Sequence, residues 1–195
     1  FALLGAEAHR ALGRNQVVPA LRATTDGSAL ATLVRLFTLQ VDVPRAEVDR
    51  ALPGLVGPLV EGRLLVTDGS LVRARVDVRP YGDEDHDWWI VCDATPGLGR
   101  PAGPMDPEHV LGISEASSSL AQLVVRDEVG SALDLGTGCG VQALHLAQHA
   151  RRVVATDVNP RALAMARLTA ELNGVEVEVR DGSLGGGGGD AAAWR

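Results

Sequence analysis

Residues 132–140 read Ala-Leu-Asp-Leu-Gly-Thr-Gly-Cys-Gly, a short apolar run that ends in a glycine-rich turn. The run predicts a β-strand, and residues 141–150 predict a helix directly after the turn. Glycines at positions 136, 138 and 140 let backbone amides approach a ligand without interference from Cβ atoms. Turns of this kind bind nucleotides in general, so the stretch alone predicts a nucleotide site and does not identify its ligand.

The same strand-and-helix pattern continues through the second half of the chain. Residues 152–157 predict a second strand, 160–173 a helix, and 175–181 a third strand in which valines alternate with charged residues. Asn159 is predicted to cap that helix. Strands that alternate with helices through short connections indicate parallel β-strands with right-handed crossovers. The predicted fold class is therefore α/β, with an incomplete Rossmann-like parallel sheet.

Three aspartates mark the ends of the predicted strands. Asp134 lies two positions before Gly136, and Asp157 and Asp181 follow at intervals of 23 and 24 residues, one strand–helix repeat each. Because parallel strands end at one edge of a sheet, we expect the three carboxylates to lie together. Asp134 suits an ammonium group, Asp157 the two hydroxyls of a ribose, and Asp181 an adenine amine, which are the parts of S-adenosylmethionine. The alternative is that each aspartate simply caps the next helix.

These residues carry a specific resemblance. The stretches 134–140 (DLGTGCG) and 155–163 (ATDVNPRAL), together with Asn173-Gly174 and 181–183 (DGS), look like class I methyltransferases of the release-factor glutamine and ribosomal-RNA guanine N-methylating type. Residues 109–123 and the loop 81–89 resemble a bacterial subgroup with an uncharacterised N-terminal domain. The resemblance implies an S-adenosylmethionine site formed by Asp134, Gly136, Thr137, Gly138, Gly140, Asp157 and Asp181.

The resemblance also implies a catalytic motif that this sequence lacks. In that family the next strand ends in Asn-Pro-Pro-(Tyr or Phe), which holds the amine to be methylated, and no such motif occurs here. We therefore assign no catalytic residue and expect a C-terminally truncated N-methyltransferase that transfers little or no methyl. The implied acceptor is a planar amine, in a release-factor-like protein or in RNA. An incomplete sheet is also expected to expose a backbone edge at its third strand.

The first half predicts a small α+β domain over residues 1–94. Two β-prone runs flank Asp68-Gly69, which predicts a hairpin. The predicted helices before it span residues 28–40, 45–52 and 55–61. Helices followed by a hairpin are the order of a winged-helix module. Arg63, Arg73 and Arg75 lie near the wing, but the net charge of −7 favours a packing or substrate-docking role over nucleic-acid binding.

The remaining segments complete the predicted domain organisation. Residues 95–107 hold four prolines and three glycines and predict a linker. The first half of the methyltransferase domain is then predicted at 108–184, and a flexible glycine- and alanine-rich tail at 185–195. The acidic loop around His86 is interpreted as a solvated turn, and no metal site is predicted.

Composition limits the remaining function classes. No apolar run approaches the roughly 18 residues of a membrane span, and the first residues lack the basic start of a signal peptide. Cys92 and Cys139 form no disulfide framework, so we expect a reducing cytoplasm, with Cys139 a small loop residue and no nucleophile. Two alternatives stay open: a binding module for RNA or protein with a non-catalytic nucleotide fold, and an NAD-dependent oxidoreductase. The G-x-G-x-G spacing disfavours the second.

Overall fold

The computed structural model describes residues 2–82, 86–98 and 104–182. The chain divides into two compact units, one formed by Phe1–Arg79 and Asp93–Met105 and the other by Pro80–Cys92 and Asp106–Arg195. The predicted tail at 185–195 and part of the acidic loop lie outside the described residues. Pro80–Cys92 belong to the second unit, whereas the sequence predicts a domain boundary near residue 94. That domain boundary stays a prediction.

Five helices precede the hairpin in the described part of the first unit. They are Gly5–Leu12 (α1), Val18–Ala23 (α2), Ala29–Leu33 (α3), Arg45–Ala51 (α4) and Val56–Glu61 (α5). The helix predicted at 28–40 is present as α3 continued by a π-helical turn, Val34–Thr38. Ser28 begins it, because its hydroxyl oxygen accepts a 3.1 Å hydrogen bond from the Ala31 N–H.

An antiparallel sheet of three strands closes the first unit. Val43–Pro44 (β1), Leu65–Asp68 (β2) and Leu71–Ala74 (β3) lie in the order β1-β3-β2. The predicted hairpin is confirmed, with Asp68 paired to Leu71 so that Gly69 and Ser70 form the turn. An apolar core cluster of the first unit consists of Leu36, Val43, Val48, Val56, Leu65, Val72 and Ala74. This order of elements fits the winged-helix interpretation, which stays a prediction.

The chain passes from the first unit into the second through a strand pair and then forms the parallel sheet that the sequence predicted. Val76–Gly82 (β4) pairs with Asp87–Asp93 (β5). Ala132–Leu135 (β6), Val153–Asp157 (β7) and Glu178–Asp181 (β8) lie in the order β6-β7-β8, and both ladders are parallel. The helices that accompany these strands are Glu115–Leu123 (α6), Val141–Leu146 (α7) and Pro160–Leu172 (α8).

Two predicted elements are shorter than the sequence suggested. The helix predicted at 141–150 ends at Leu146, because Ala150 forms a parallel bridge with Val129 and draws the chain out of the helix. The strand predicted from residue 175 begins at Glu178, because the Val175 N–H still donates to Ala170 O in the turn that ends α8. In both places a tertiary or capping hydrogen bond overrides the local pattern.

The sheet has two edges of different character. At β8, the predicted edge, Glu178 pairs with Arg152 (2.7 Å) and with Arg180, and charged side chains of this kind protect an edge from further pairing. At β6 the side chains of Leu133 and Leu135 are 37% and 41% exposed. The Ala132 N–H donates to Arg152 O, directly before β7. Because the backbone groups of successive residues in a strand point to opposite sides, those of Leu133 and Leu135 face away from β7. This second, apolar edge was not predicted from the sequence.

The helices of the described residues are all too short or too polar to cross a lipid bilayer.

Candidate functional site

The glycine-rich turn after β6 is anchored to the neighbouring strand. The N–H groups of Gly136 and Thr137 both donate to Thr156 O, at 2.8 and 2.9 Å. Gly140 has a φ of 85° and lies so close to α8 that a Cβ atom there would stand 3.1 Å from Ala166 Cα. Glycine is thus required at 140 both for its left-handed backbone and for the space.

Asp134 lies buried beneath this turn. Its Oδ2 accepts a 2.6 Å hydrogen bond from the Thr137 hydroxyl, and its residue is 8% exposed. Burial raises the pKa of the Asp134 carboxyl, while the Thr137 hydroxyl and the Ala143 backbone N–H oppose that rise. The negative charge of Asp157 adds to the rise. Asp134 therefore holds the turn in place through Thr137, whereas α7 begins after Gly140 without a side-chain cap.

Asp157 sits at the end of β7 with both carboxylate oxygens engaged. Oδ2 accepts from the Gly138 N–H at 3.0 Å, and Oδ1 accepts from the Asn159 N–H at 2.9 Å. A carboxylate can accept about four hydrogen bonds, so these two leave room for two further donors. The backbone thereby fixes the orientation of the carboxylate without neutralising its charge.

Asp181 stands beside Asp157 in the sheet. The two residues are Cα partners in the parallel ladder of β7 and β8, and Asp181 is exposed. Leu135, one residue after Asp134, pairs with Thr156 in the same way on the other side of β7. The three predicted acids and the glycine-rich turn therefore gather at the carboxyl-terminal end of the sheet, as expected for parallel strands.

Asn159 and Cys139, whose roles were predicted from the sequence, also lie at this end of the sheet. Asn159 caps α8, since its Oδ1 accepts from the Arg161 N–H at 2.9 Å, so that prediction is confirmed. Cys139 is buried, and burial raises the pKa of its thiol, which leaves it protonated and unsuited to nucleophilic attack.

The structure also shows contacts in this unit that the sequence did not predict. The Asn159 amide donates to Glu108 O at 2.8 Å, so the chain before α6 passes next to the end of β7. Tyr81 and Trp88, from the two arms of the β4–β5 hairpin, contact His145 on α7. Neither contact has a signal in local sequence patterns, because both join segments more than 50 residues apart.

A cavity of about 410 Å³ opens at the opposite end of the sheet. Its walls include Arg151, Arg152, Arg167, Glu171 and Glu178, and it lies near the start of β7 and β8. Open α/β sheets bind their ligands at the carboxyl ends of the strands, so the volume of this cavity does not make it the better candidate site.

Comparison with protein families separates the two halves of the chain. Residues 1–75 match a domain of unknown function (DUF7059), and residues 111–189 match the methyltransferase small domain. Residues 111–189 are thus similar to methyltransferases. The relationship predicted from the glycine-rich turn is thereby confirmed at this level, while the subtype stays a prediction.

Individual relatives of this chain are methyltransferases by name. Ribosomal protein L11 methyltransferase of Rhodopseudomonas palustris (strain BisB5) is 35% identical over 160 residues, which cover 81% of this chain and 48% of the relative. Release factor glutamine methyltransferase of Deinococcus radiodurans is 46% identical over 61 residues, covering 30% of this chain and 22% of the relative. The chain thus spans less than half the length of these curated relatives.

Among solved structures, the T. thermophilus 16S rRNA N2 G1207 methyltransferase in complex with AdoMet and guanosine aligns with 81% of this chain and 45% of its own. Its sequence is 14% identical and the TM-score is 0.38.

Proposed function

We propose that the second unit binds S-adenosylmethionine and that the chain is part of an S-adenosylmethionine-dependent N-methyltransferase. The observation that carries this proposal is Asp157, whose two oxygens are oriented by the backbone N–H groups of Gly138 and Asn159. Each oxygen retains acceptor capacity, which fits the two adjacent hydroxyls of a ribose. The hydrogen bond from Gly138 also couples this carboxylate to the glycine-rich turn.

The neighbouring residues fit the other parts of the same molecule. Gly136, Thr137, Gly138 and Gly140 form a turn that lets a ligand approach the backbone closely. Asp181, the ladder partner of Asp157, is exposed and suits an adenine amine. Asp134 supports the turn through Thr137, and a ligand ammonium near it would favour its ionised form.

The proposed reaction transfers the methyl group of the bound sulfonium to a planar amine nitrogen. The residues of this chain hold and orient the cofactor, and catalysis by such a site is largely positioning. We assign no catalytic residue, because the Asn-Pro-Pro motif that would hold the amine is absent from the sequence. We therefore propose that this chain binds the cofactor but transfers little or no methyl by itself.

The proposed acceptor is a planar amine of protein glutamine or of RNA guanine. The relatives named above include methyltransferases of a ribosomal protein and of a release factor, which makes a protein the first acceptor to test. We place the reaction in the cytoplasm, where the thiols of Cys92 and Cys139 would stay reduced.

The first unit is proposed to dock the acceptor as a winged-helix-like domain. Its alternative role is nucleic-acid binding, with the second unit a non-catalytic nucleotide fold. The arrangement of Arg73 weighs against that alternative: its guanidinium makes a two-point ion pair with Asp42, at 2.6 and 3.0 Å. An arginine held in this way is less available to a phosphate.

Titration calorimetry on the whole chain tests the proposal. We expect S-adenosylhomocysteine to bind and NAD not to bind, and labelled S-adenosylmethionine to give little or no methylated product. Binding of NAD alone would favour an oxidoreductase. A gel shift with RNA, combined with no cofactor affinity, would favour the binding module. Robust methyl transfer would contradict the proposed loss of turnover.

A further inference from the structure

The two arms of the β4–β5 hairpin lie outside the residues matched by the two families. The family matches cover residues 1–75 and 111–189, so β4 and β5 lie between them. By their contacts, however, Pro80–Cys92 form one compact unit with the methyltransferase half. The contacts of these residues are specific and reach both helices that flank the glycine-rich turn.

The first set of contacts is with α7, the helix that follows the turn. Tyr81 Oη lies 2.9 Å from Nε2 of His145, and both rings are in edge-to-face contact, with centroids 5.6 Å apart. Trp88 packs edge-to-face against the same imidazole, at 4.9 Å, and stacks on the Tyr81 ring with centroids 6.2 Å apart. His145 and Trp88 are buried, and the three rings form one cluster that joins both arms of the hairpin to α7.

The second set of contacts is with α8. The Val91 N–H donates to Thr169 Oγ1 at 3.2 Å. The side-chain amide of Asn173 pairs with the Trp89 backbone at two points: it accepts from the N–H and donates to the C=O, each at 2.8 Å. Strand β5 is therefore held against α8 by hydrogen bonds of its backbone N–H and C=O groups. In a wider sheet, a neighbouring strand would bind these groups.

Both helices hold the turn at the candidate site. On α7, the backbone of Ala143 lowers the pKa of the Asp134 carboxyl, and that carboxyl accepts a hydrogen bond from the Thr137 hydroxyl in the turn. On α8, Ala166 lies directly against Gly140 at the end of the turn. A shift of either helix would consequently move the turn relative to the three acids.

We propose that Tyr81 is a positioning residue for the cofactor site and acts through His145 and α7. The hairpin is then a support for the glycine-rich turn. This inference rests on the proposed function, because its readout is affinity for the cofactor product.

Removal of the Tyr81 hydroxyl tests the inference. In Tyr81→Phe, the affinity for S-adenosylhomocysteine, measured by calorimetry well below the melting temperature of each protein, should fall about three- to ten-fold. Trp89→Phe is the matched control on the same hairpin: its side chain is half exposed and its contacts to Asn173 come from the backbone, so affinity should be unchanged.

A pair of substitutions at His145 separates positioning from general packing. His145→Gln retains an acceptor for the Tyr81 hydroxyl and should keep most of the affinity, whereas His145→Leu should lose as much affinity as Tyr81→Phe. Equal affinity in wild type and Tyr81→Phe would overturn the inference, and so would equal losses in the Gln and Leu variants. If the wild type itself fails to bind S-adenosylhomocysteine, the proposed function fails first and this inference falls with it.

Discussion

The two ends of the parallel sheet carry acids in contrasting surroundings. At the amino-terminal end, Glu178 receives hydrogen bonds from Arg152 and Arg180, which lower the pKa of its carboxyl. At the carboxyl-terminal end, Asp134 and Asp157 are bound by a threonine hydroxyl and by backbone N–H groups. These donors are neutral, and burial raises the pKa of Asp134.

This difference indicates which end of the sheet is built for a ligand. The arginines at the amino-terminal end already neutralise their acid, and that ion pair is exposed and of little energetic weight. The acids at the other end are oriented by neutral donors, which leaves them able to accept hydrogen bonds from the hydroxyl or ammonium groups of a ligand. A cavity of about 410 Å³ lies at the neutralised end, so the cavity and the chemistry of the acids point to opposite ends.

The largest expected effect is at the turn itself. Gly140→Ala places a Cβ atom 3.1 Å from Ala166 Cα at a φ of 85°, so unfolding in urea should show a loss of about 2–3 kcal/mol. Gly138→Ala is the control, since a Cβ there meets nothing within 4 Å and incurs only the backbone strain, about 1 kcal/mol. Equal losses in both variants would show that the contact with α8 does not constrain the turn.

A smaller effect is expected in the pH dependence of stability. Burial raises the pKa of Asp134 above its ordinary value of 3.8, so the folded state disfavours ionisation. The stability associated with this group is therefore full below that value and is lost as pH rises through the raised pKa. Between the unfolded and folded pKa values the loss is about 1.4 kcal/mol per pH unit.

The variant Asp134→Asn should remove this decline. Asp77 also has a raised pKa and contributes in the same direction, so the informative quantity is the difference in unfolding free energy between wild type and variant, followed across pH. A difference that does not change with pH would contradict the placement of Asp134 in a desolvated site.

The smallest effect is expected at the opposite end of the sheet. Glu178→Gln removes one negative charge from an exposed ion pair, and the affinity for S-adenosylhomocysteine, measured by calorimetry, should stay within about two-fold of wild type. A loss of affinity of about ten-fold or more would mean that the ligand binds at the arginine-rich end of the sheet and not at the carboxyl-terminal end.

The sequence predicted those features that depend on the local residue pattern and on the chemistry of single residues. The glycine turn, the order of strands and helices, and the acids that end each strand all follow from periodicity and from residues with narrow backbone preferences. The cap at Asn159 follows in the same way. These features needed no knowledge of which segments touch.

The features that the sequence did not predict depend on contacts between distant segments. The β4–β5 hairpin lies on α7 and α8 through a histidine–tyrosine pair and through Asn173, and nothing in the local pattern of residues 76–93 indicates those partners. The early end of α7 likewise follows from the bridge between Val129 and Ala150. The engagement of Asp134 by Thr137 shows that an acid predicted for a ligand also has a structural task.

The most direct test of the central claim is the affinity of wild type and Asp157→Ala for S-adenosylhomocysteine. Calorimetry should show binding to the wild type and a loss of about ten-fold or more in the variant, because two charge-assisted hydrogen bonds to the ribose disappear. Unchanged affinity in Asp157→Ala would contradict a nucleoside site at the carboxyl-terminal end of this sheet.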